Sequence, residues 1–326
     1  MIGASDASMI GGRSGRPTTD ISGSSYSRPS VENCFKSLGS GHITPTYVFI
    51  DAVSRRTNAM KLSKFLGATA LVSGGLAEGI FYDTTWAGPV RIAERFNGTA
   101  GGYDRVEATL VMPQLYIPTN PHQESDEYTA SYWIGLGGFL SSSTVSGLWQ
   151  AGVIMSIWNN GSTEYKGFYE WVPNDPVQLN STELSISVGD HVQVSLTTAG
   201  NGMTGSVSMT NANTGQTFSY TQAAPTTWRG PTWPALGSTA EWIVEAGTYL
   251  NGPQYVFPDW HNSTFLNSKA CYNADGVCYP PVSAEIPTLN RMTAVYWNDT
   301  QTLYTQSSVN DDTVTVEYIE ETVVLD

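Results

Sequence analysis

The most constraining feature of the chain is a two-residue period that recurs in short runs separated by turn residues. Val106, Ala108, Leu110 and Met112 alternate with Glu107, Thr109 and Val111, and Pro113 ends the run. Val192, Val194 and Leu196 alternate with Gln193 and Ser195 after the turn Gly189-Asp190. Val207 and Met209 precede Asn213-Thr214-Gly215, a hairpin-type turn, and Val314, Val316 and Tyr318 repeat the alternation near the end. In an extended strand alternate side chains share a face, so each run offers one face to a core and one to solvent. Short strands with turns about every 8–12 residues predict an all-β fold: an antiparallel β-sandwich, jelly-roll-like, of two packed sheets.

Apolar and aromatic runs fill the middle of the chain. They are Tyr132–Gly138, Leu148–Met155 with Gln150 as its one amide, and Gly167–Val172 ended by Pro173. Ala240–Glu245 reads as a further strand, with Glu241, Ile243 and Glu245 on one face and Trp242 and Val244 on the other. Its two carboxylates are then roughly 13 Å apart, too far to flank one scissile bond. On pattern alone this is a solvent-facing strand with charged alternation; if either Glu does chemistry, its partner comes from another strand.

Residues 1–59 are Ser/Gly-rich without hydrophobic period, which predicts a disordered extension or a misjudged gene start. Residues 60–77 begin Met60-Lys61-Leu62-Ser63-Lys64, continue as an apolar run and end in small residues, the pattern of a secretory signal peptide. The run is shorter than the roughly twenty residues a bilayer span needs. Residues 78–326 then form one domain in an extracellular protein. Only eight residues separate Ala77 from Trp86, so no pro-segment is expected. Setting Cys34 aside with the extension leaves Cys271 and Cys278 to close a short disulfide loop in an oxidising compartment. The Asn-x-Ser/Thr sequons at Asn97, Asn160, Asn180, Asn262 and Asn298 all follow Ala77, which fits secretion and glycosylation.

The net charge of −14 is unevenly spread. Residues 1–77 carry eight Lys/Arg and four Asp/Glu; residues 78–326 carry seven and twenty-five. So acidic a domain argues against nucleic acid or an anionic membrane as partner once the signal is cleaved. Protonating its carboxylates leaves only seven Lys/Arg and three His to repel one another, which suits an acidic medium. The chain has no His-Glu-x-x-His, Cys-x-x-Cys, Gly-x-Ser-x-Gly, Asp-Thr-Gly or Asp-Ser-Gly, and no glycine-rich phosphate loop. No metal or cofactor is expected. The polar groups set among aromatics on candidate strands are Gln150, Glu170, Glu241 and Glu245.

These residues resemble the glutamic peptidases, or eqolisins, a family of secreted acid proteases. The likeness runs from Trp86 to the C-terminus through Trp86-Ala87-Gly88, Trp133–Gly138, Leu148-Trp149-Gln150, Phe168–Trp171, Val188–Asp190, Thr214–Gln216 and Ala240–Glu245. Their shared order carries the resemblance; no one piece is specific. It implies a two-sheet sandwich, a catalytic Gln at Gln150 and a catalytic Glu at Glu245 rather than Glu241. It also implies a substrate cleft lined by Trp86, Trp133, Phe168, Tyr169 and Glu170, and polypeptide substrates hydrolysed by a monomer at acid pH. Gly137, Ile154 and Lys166 stand where the family usually has Asp, and Phe168 where a Trp is common.

Two other readings use the same residues. A jelly-roll glycosidase could set Glu170 against Glu245, about 5–5.5 Å apart if retaining. A carbohydrate-binding sandwich could use Trp86, Trp133 and Trp242 as stacking platforms.

Overall fold

A computed structural model describes residues 80–83, 85–119, 125–139, 146–227, 230–246, 257–281, 286–291 and 300–324. The expectations for residues 1–59, for the signal segment 60–77 and for Asn298 lie outside the described residues. The first strands are β1 (Ile80–Asp83), β2 (Trp86–Ala87), β3 (Val90–Ile92), β4 (Arg105–Val111), β5 (Glu127–Leu136) and β6 (Trp149–Trp158). Then come β7 (Thr163–Trp171), β8 (Val177–Gln178), β9 (His191–Ala199), β10 (Thr204–Asn211), β11 (Thr217–Ala223) and β12 (Thr239–Ala246). The last are β13 (Asn262–Cys271), β14 (Cys278–Tyr279), β15 (Ile286–Arg291), β16 (Thr300–Asn310) and β17 (Thr313–Val324).

They form two sheets packed as a sandwich, as the alternation predicts. One runs β1-β15-β16-β17-β13-β4-β9-β10-β11, with β14 on β13; the other runs β2-β12-β5-β6-β7-β8, with β3 also on β12. β1 and β15 pair in parallel and the other pairs are antiparallel. The Asn213-Thr214-Gly215 turn joins β10 to β11, with Gly215 at φ 76° where a side chain would be strained. Cys271 and Cys278 are disulfide-bonded across β13 and β14.

In the larger sheet Val106, Ala108 and Leu110, with Val192, Val194 and Leu196, turn inward. They meet Tyr132, Val153, Trp242 and Val244 of the smaller sheet in one core. The outward residues of β9, His191, Gln193 and Ser195, keep contact with solvent. The smaller sheet differs: its second face is largely covered too. Val90, Trp133, Leu148, Phe168 and Ile243 form a second cluster there, flanked by Trp86, Phe139, Ile154 and Val172. This covering explains the near-continuous apolar runs of β5 and β6, which a strand with one wet face would not need. It also corrects the expectation of a solvent-facing Ala240–Glu245 strand. Glu241 is fully buried and Glu245 half-buried, although both face as the alternation assigned.

Candidate active site

On the covered face of the smaller sheet lies a groove, a cavity of ≈ 360 Å³ lined in part by Trp86, Leu148, Gln150, Glu170, Val172 and Glu245. Pairing across β12, β5, β6 and β7 sets its rows. Glu241, Gly135, Gln150 and Glu170 make one row; Ile243, Trp133, Gly152 and Phe168 the next; Glu245, Ser131, Ile154 and Lys166 the third. Gln150 and Glu245 therefore sit two strands and four residues apart, and the groove that both line runs diagonally over the sheet.

Glycines on this face make room for large side chains. A Cβ at Gly152 would come within 2.1 Å of Tyr132 O and 2.5 Å of Trp133 Cα. One at Gly135 would meet Trp133 Cζ3 at 2.8 Å, Leu148 Cδ1 at 2.9 Å and Glu241 Oε2 at 3.0 Å. Bare backbone at Gly135 thus lets the Trp133 ring, Leu148 and the Glu241 carboxyl lie together over one strand. At Gly137 φ is 81° and a Cβ would come within 2.8 Å of Gly147 O. Any side chain at that position would be strained in the local backbone as it stands.

Glu245 is held by two indoles. Trp86 Nε1 donates to Oε1 at 3.1 Å and Trp133 Nε1 to Oε2 at 2.8 Å, with the two rings edge to face, centroids 5.1 Å apart. Two N–H donors on one carboxylate favour its ionised form and hold it in place. Gln150 is 5% exposed. Its Nε2 donates to Glu170 Oε2 at 2.6 Å, while its Oε1 is buried with no hydrogen-bond partner among the described residues. Burial raises the Glu170 pKa above the usual carboxylate value; the Gln150 bond opposes this and the charge of Asp175 adds to it.

Beneath the groove, Glu241 has no exposure and neither carboxyl oxygen has a hydrogen-bond partner among the described residues. Burial pushes its pKa up to about 8; Thr239 opposes this, but its hydroxyl lies outside ordinary hydrogen-bond geometry. Glu241 is thus a neutral acid in acidic and near-neutral medium, whereas Glu245, four residues on, is arranged as a base.

The other expected site residues fall on different faces. Trp133 and Phe168 lie on the groove side, 0% and 2% exposed, and serve as its packed floor. Tyr169 points the opposite way, into the inter-sheet core, against Trp149, Phe218 and Tyr220. Consecutive strand residues cannot share a face, so Phe168, Tyr169 and Glu170 cannot all line one cleft. Trp242 is likewise in the inter-sheet core and donates to Glu107 O at 3.3 Å. Lys166 pairs with Glu164 at 2.7 Å, so a salt bridge occupies a place where the family usually has Asp. Leu148 and Val172 line the groove and were missed. Each stands two residues from a polar site residue, Gln150 and Glu170, so the strand period itself could have found them. Asn97, Asn160, Asn180 and Asn262 are all exposed, and in the first three the side-chain oxygen accepts from the Ser or Thr two residues on.

A model described as the Peptidase A4 family matches residues 84–318. Aspergillopepsin-2 of Aspergillus niger is 28% identical over 253 residues, covering 73% of this chain and 78% of that protein. Two solved structures share the fold. Scytalido-glutamic peptidase, with a transition state analog inhibitor, is 21% identical with a TM-score of 0.54, covering 73% of this chain and 99% of that one. SCP-B, an eqolisin in complex with the tripeptide Ala-Ile-His, is 20% identical with a TM-score of 0.53 and the same coverage.

Proposed function

Because this chain belongs to the peptidase A4 family of glutamic-type peptidases, we propose that Glu245 and Gln150 hydrolyse peptide bonds at acid pH through one activated water. The observation that supports this best is a carboxylate held by two indole N–H groups in the same groove as a buried amide. Glu245 takes a proton from the water as the water oxygen attacks the peptide carbonyl carbon. A Gln150 N–H donates to the oxyanion that develops. When the C–N bond breaks, Glu245 returns the proton to the leaving amine. Substrate lies along the diagonal groove, with Leu148 and Val172 as apolar walls and Glu170 beside the amide.

The sugar-stacking reading loses two of its three platforms, since Trp133 and Trp242 are fully buried and only Trp86 keeps some exposure. In the glycosidase reading Glu170 would act directly on substrate, but it already holds the Gln150 amide. Secretion remains part of the proposal; the signal-like segment 60–77 and the exposed sequons support it. The test is digestion of a heat-denatured protein at about pH 3 with pepstatin present, read by mass spectrometry. New peptide termini are expected. Intact substrate, or release of sugar from a polysaccharide instead, removes the assignment.

Trp133→Phe keeps most of the ring and deletes one donor to Glu245. Losing a hydrogen bond to a charged carboxylate disfavours its ionised form, so the acid limb of the kcat profile should move to higher pH. An unmoved limb would separate the indole from the state of Glu245.

A further inference from the structure

We propose that Glu170 is a positioning residue whose proton sets which end of the Gln150 amide it holds, and so whether the amide N–H groups are free for the reaction. The inference rests on the peptidase reading of the groove and adds a role for the neighbour of its amide.

The amide has one accepting and one donating end, and Glu170 is its hydrogen-bond partner in the described structure. An ionised carboxylate can only accept, so it takes an N–H, as observed at 2.6 Å. That arrangement ties up one of the two amide hydrogens and leaves the buried Oε1 without a partner. A protonated Glu170 can donate instead. With the amide turned about its terminal bond, the Glu170 O–H meets Gln150 Oε1, the unpartnered carbonyl is satisfied, and both N–H groups point away from Glu170. No heavy atom has to leave the groove, because the oxygen and nitrogen ends are nearly the same size. The protonated arrangement therefore frees both amide N–H groups from Glu170, so that one of them can serve a developing oxyanion.

The surroundings favour that proton in acid. Burial and the charge of Asp175 both raise the Glu170 pKa. Glu245 of β12, also lining the groove, adds a further negative charge when ionised. Glu241, in the same row on β12, is neutral in acid and adds none. Lys166, on the same face of β7, has its charge engaged by Glu164 at 2.7 Å. Two indole N–H groups donate to the Glu245 carboxylate, whereas burial and Asp175 favour the proton on Glu170. Working activity needs Glu245 ionised and Glu170 protonated, so Glu170 sets the upper limb of the pH profile.

The test follows the Gln150 side-chain ¹⁵N–¹H pair by NMR in protein labelled at glutamine, alongside kcat and KM on a peptide from acid to neutral pH. In the wild type the Gln150 resonances should shift with the Glu170 carboxyl titration; in Glu170→Gln, which is neutral throughout, they should stay still. The upper limb of kcat in Glu170→Gln should move up by about one pH unit or more, with KM within about twofold. Gln150 resonances that ignore the Glu170 titration in the wild type overturn the proposal, and this needs no variant to fold. An effect on KM alone, with the kcat profile unmoved, overturns it as well. If the wild type cleaves no protein, the peptidase reading fails, while the NMR titration still decides whether Glu170 turns the amide.

Discussion

A Glu245→Gln variant is expected to lose peptide-bond hydrolysis on the order of 10³-fold in kcat, with KM little changed, because the general base is gone while the groove keeps its shape. Trp86 and Trp133 both donate to this carboxylate. A glutamine oxygen can accept one of those bonds, but its NH₂ cannot accept the other, so some loss of order at the indoles should follow. Gln150→Ala removes the amide that donates to the oxyanion and should lower kcat by about 10²–10³-fold. Because both groups act on one water and one carbonyl, the double variant should fall little below Glu245→Gln alone. Steady-state kinetics on a chromogenic peptide at about pH 3 measures all three. A Glu245→Gln protein within tenfold of the wild type would leave the groove without a base and end the mechanism.

Much of the fold is legible in the chain because strand alternation is a local property. Val192, Val194 and Leu196 declare their face without reference to any other strand, and the structure places them inward. The site was less legible, for two physical reasons. The pattern of Ala240–Glu245 matches a half-wet strand, and nothing local records that the second face of its sheet is covered by Trp133, Leu148 and Phe168. Picking Glu245 over Glu241 therefore came from the order of the motifs along the chain. The row assignment is equally invisible: Gln150 lies level with Glu241, and it is the lining of one groove, not a shared row, that it has in common with Glu245.

Where the reading of the chain departed from a local rule, the structure departs from the reading. The family resemblance implies that Phe168, Tyr169 and Glu170 all line the cleft, yet a strand cannot turn three successive side chains one way. Tyr169 belongs with Trp149 in the core, where it contributes packing area to the sandwich. Substitutions at Tyr169 should consequently act on stability more than on catalysis, whereas those at Glu170 should do the reverse.

The other large effect concerns stability, and it originates beneath the groove. The Glu241 pKa is raised from 4.5 to about 8 by burial, with no hydrogen-bond partner at either oxygen. Below about pH 4.5 the carboxyl keeps its proton whether the chain is folded or not, and folding is insensitive to it. Between that point and about pH 8 the unfolded chain releases the proton and the folded protein retains it. Each pH unit in this window then costs about 1.4 kcal/mol, or about 5 kcal/mol in total. Above pH 8 the folded form ionises as well and the loss levels off. Since domains are typically stable by only about 5–15 kcal/mol, one side chain can bring the protein near its unfolding threshold at neutral pH. Glu241→Gln, neutral at every pH, should remove this slope. Urea unfolding at about pH 4 should find wild type and variant within about 1 kcal/mol, while at about pH 7.5 the variant should be the more stable by several kcal/mol. The general repulsion among carboxylates acts on both proteins alike, so it cancels in the difference. Parallel pH dependences for the two would show that the buried acid finds relief in the folded state. Divergent ones would make the groove floor a structure adapted to acid, since its buried carboxyl is tolerated there only as the neutral form.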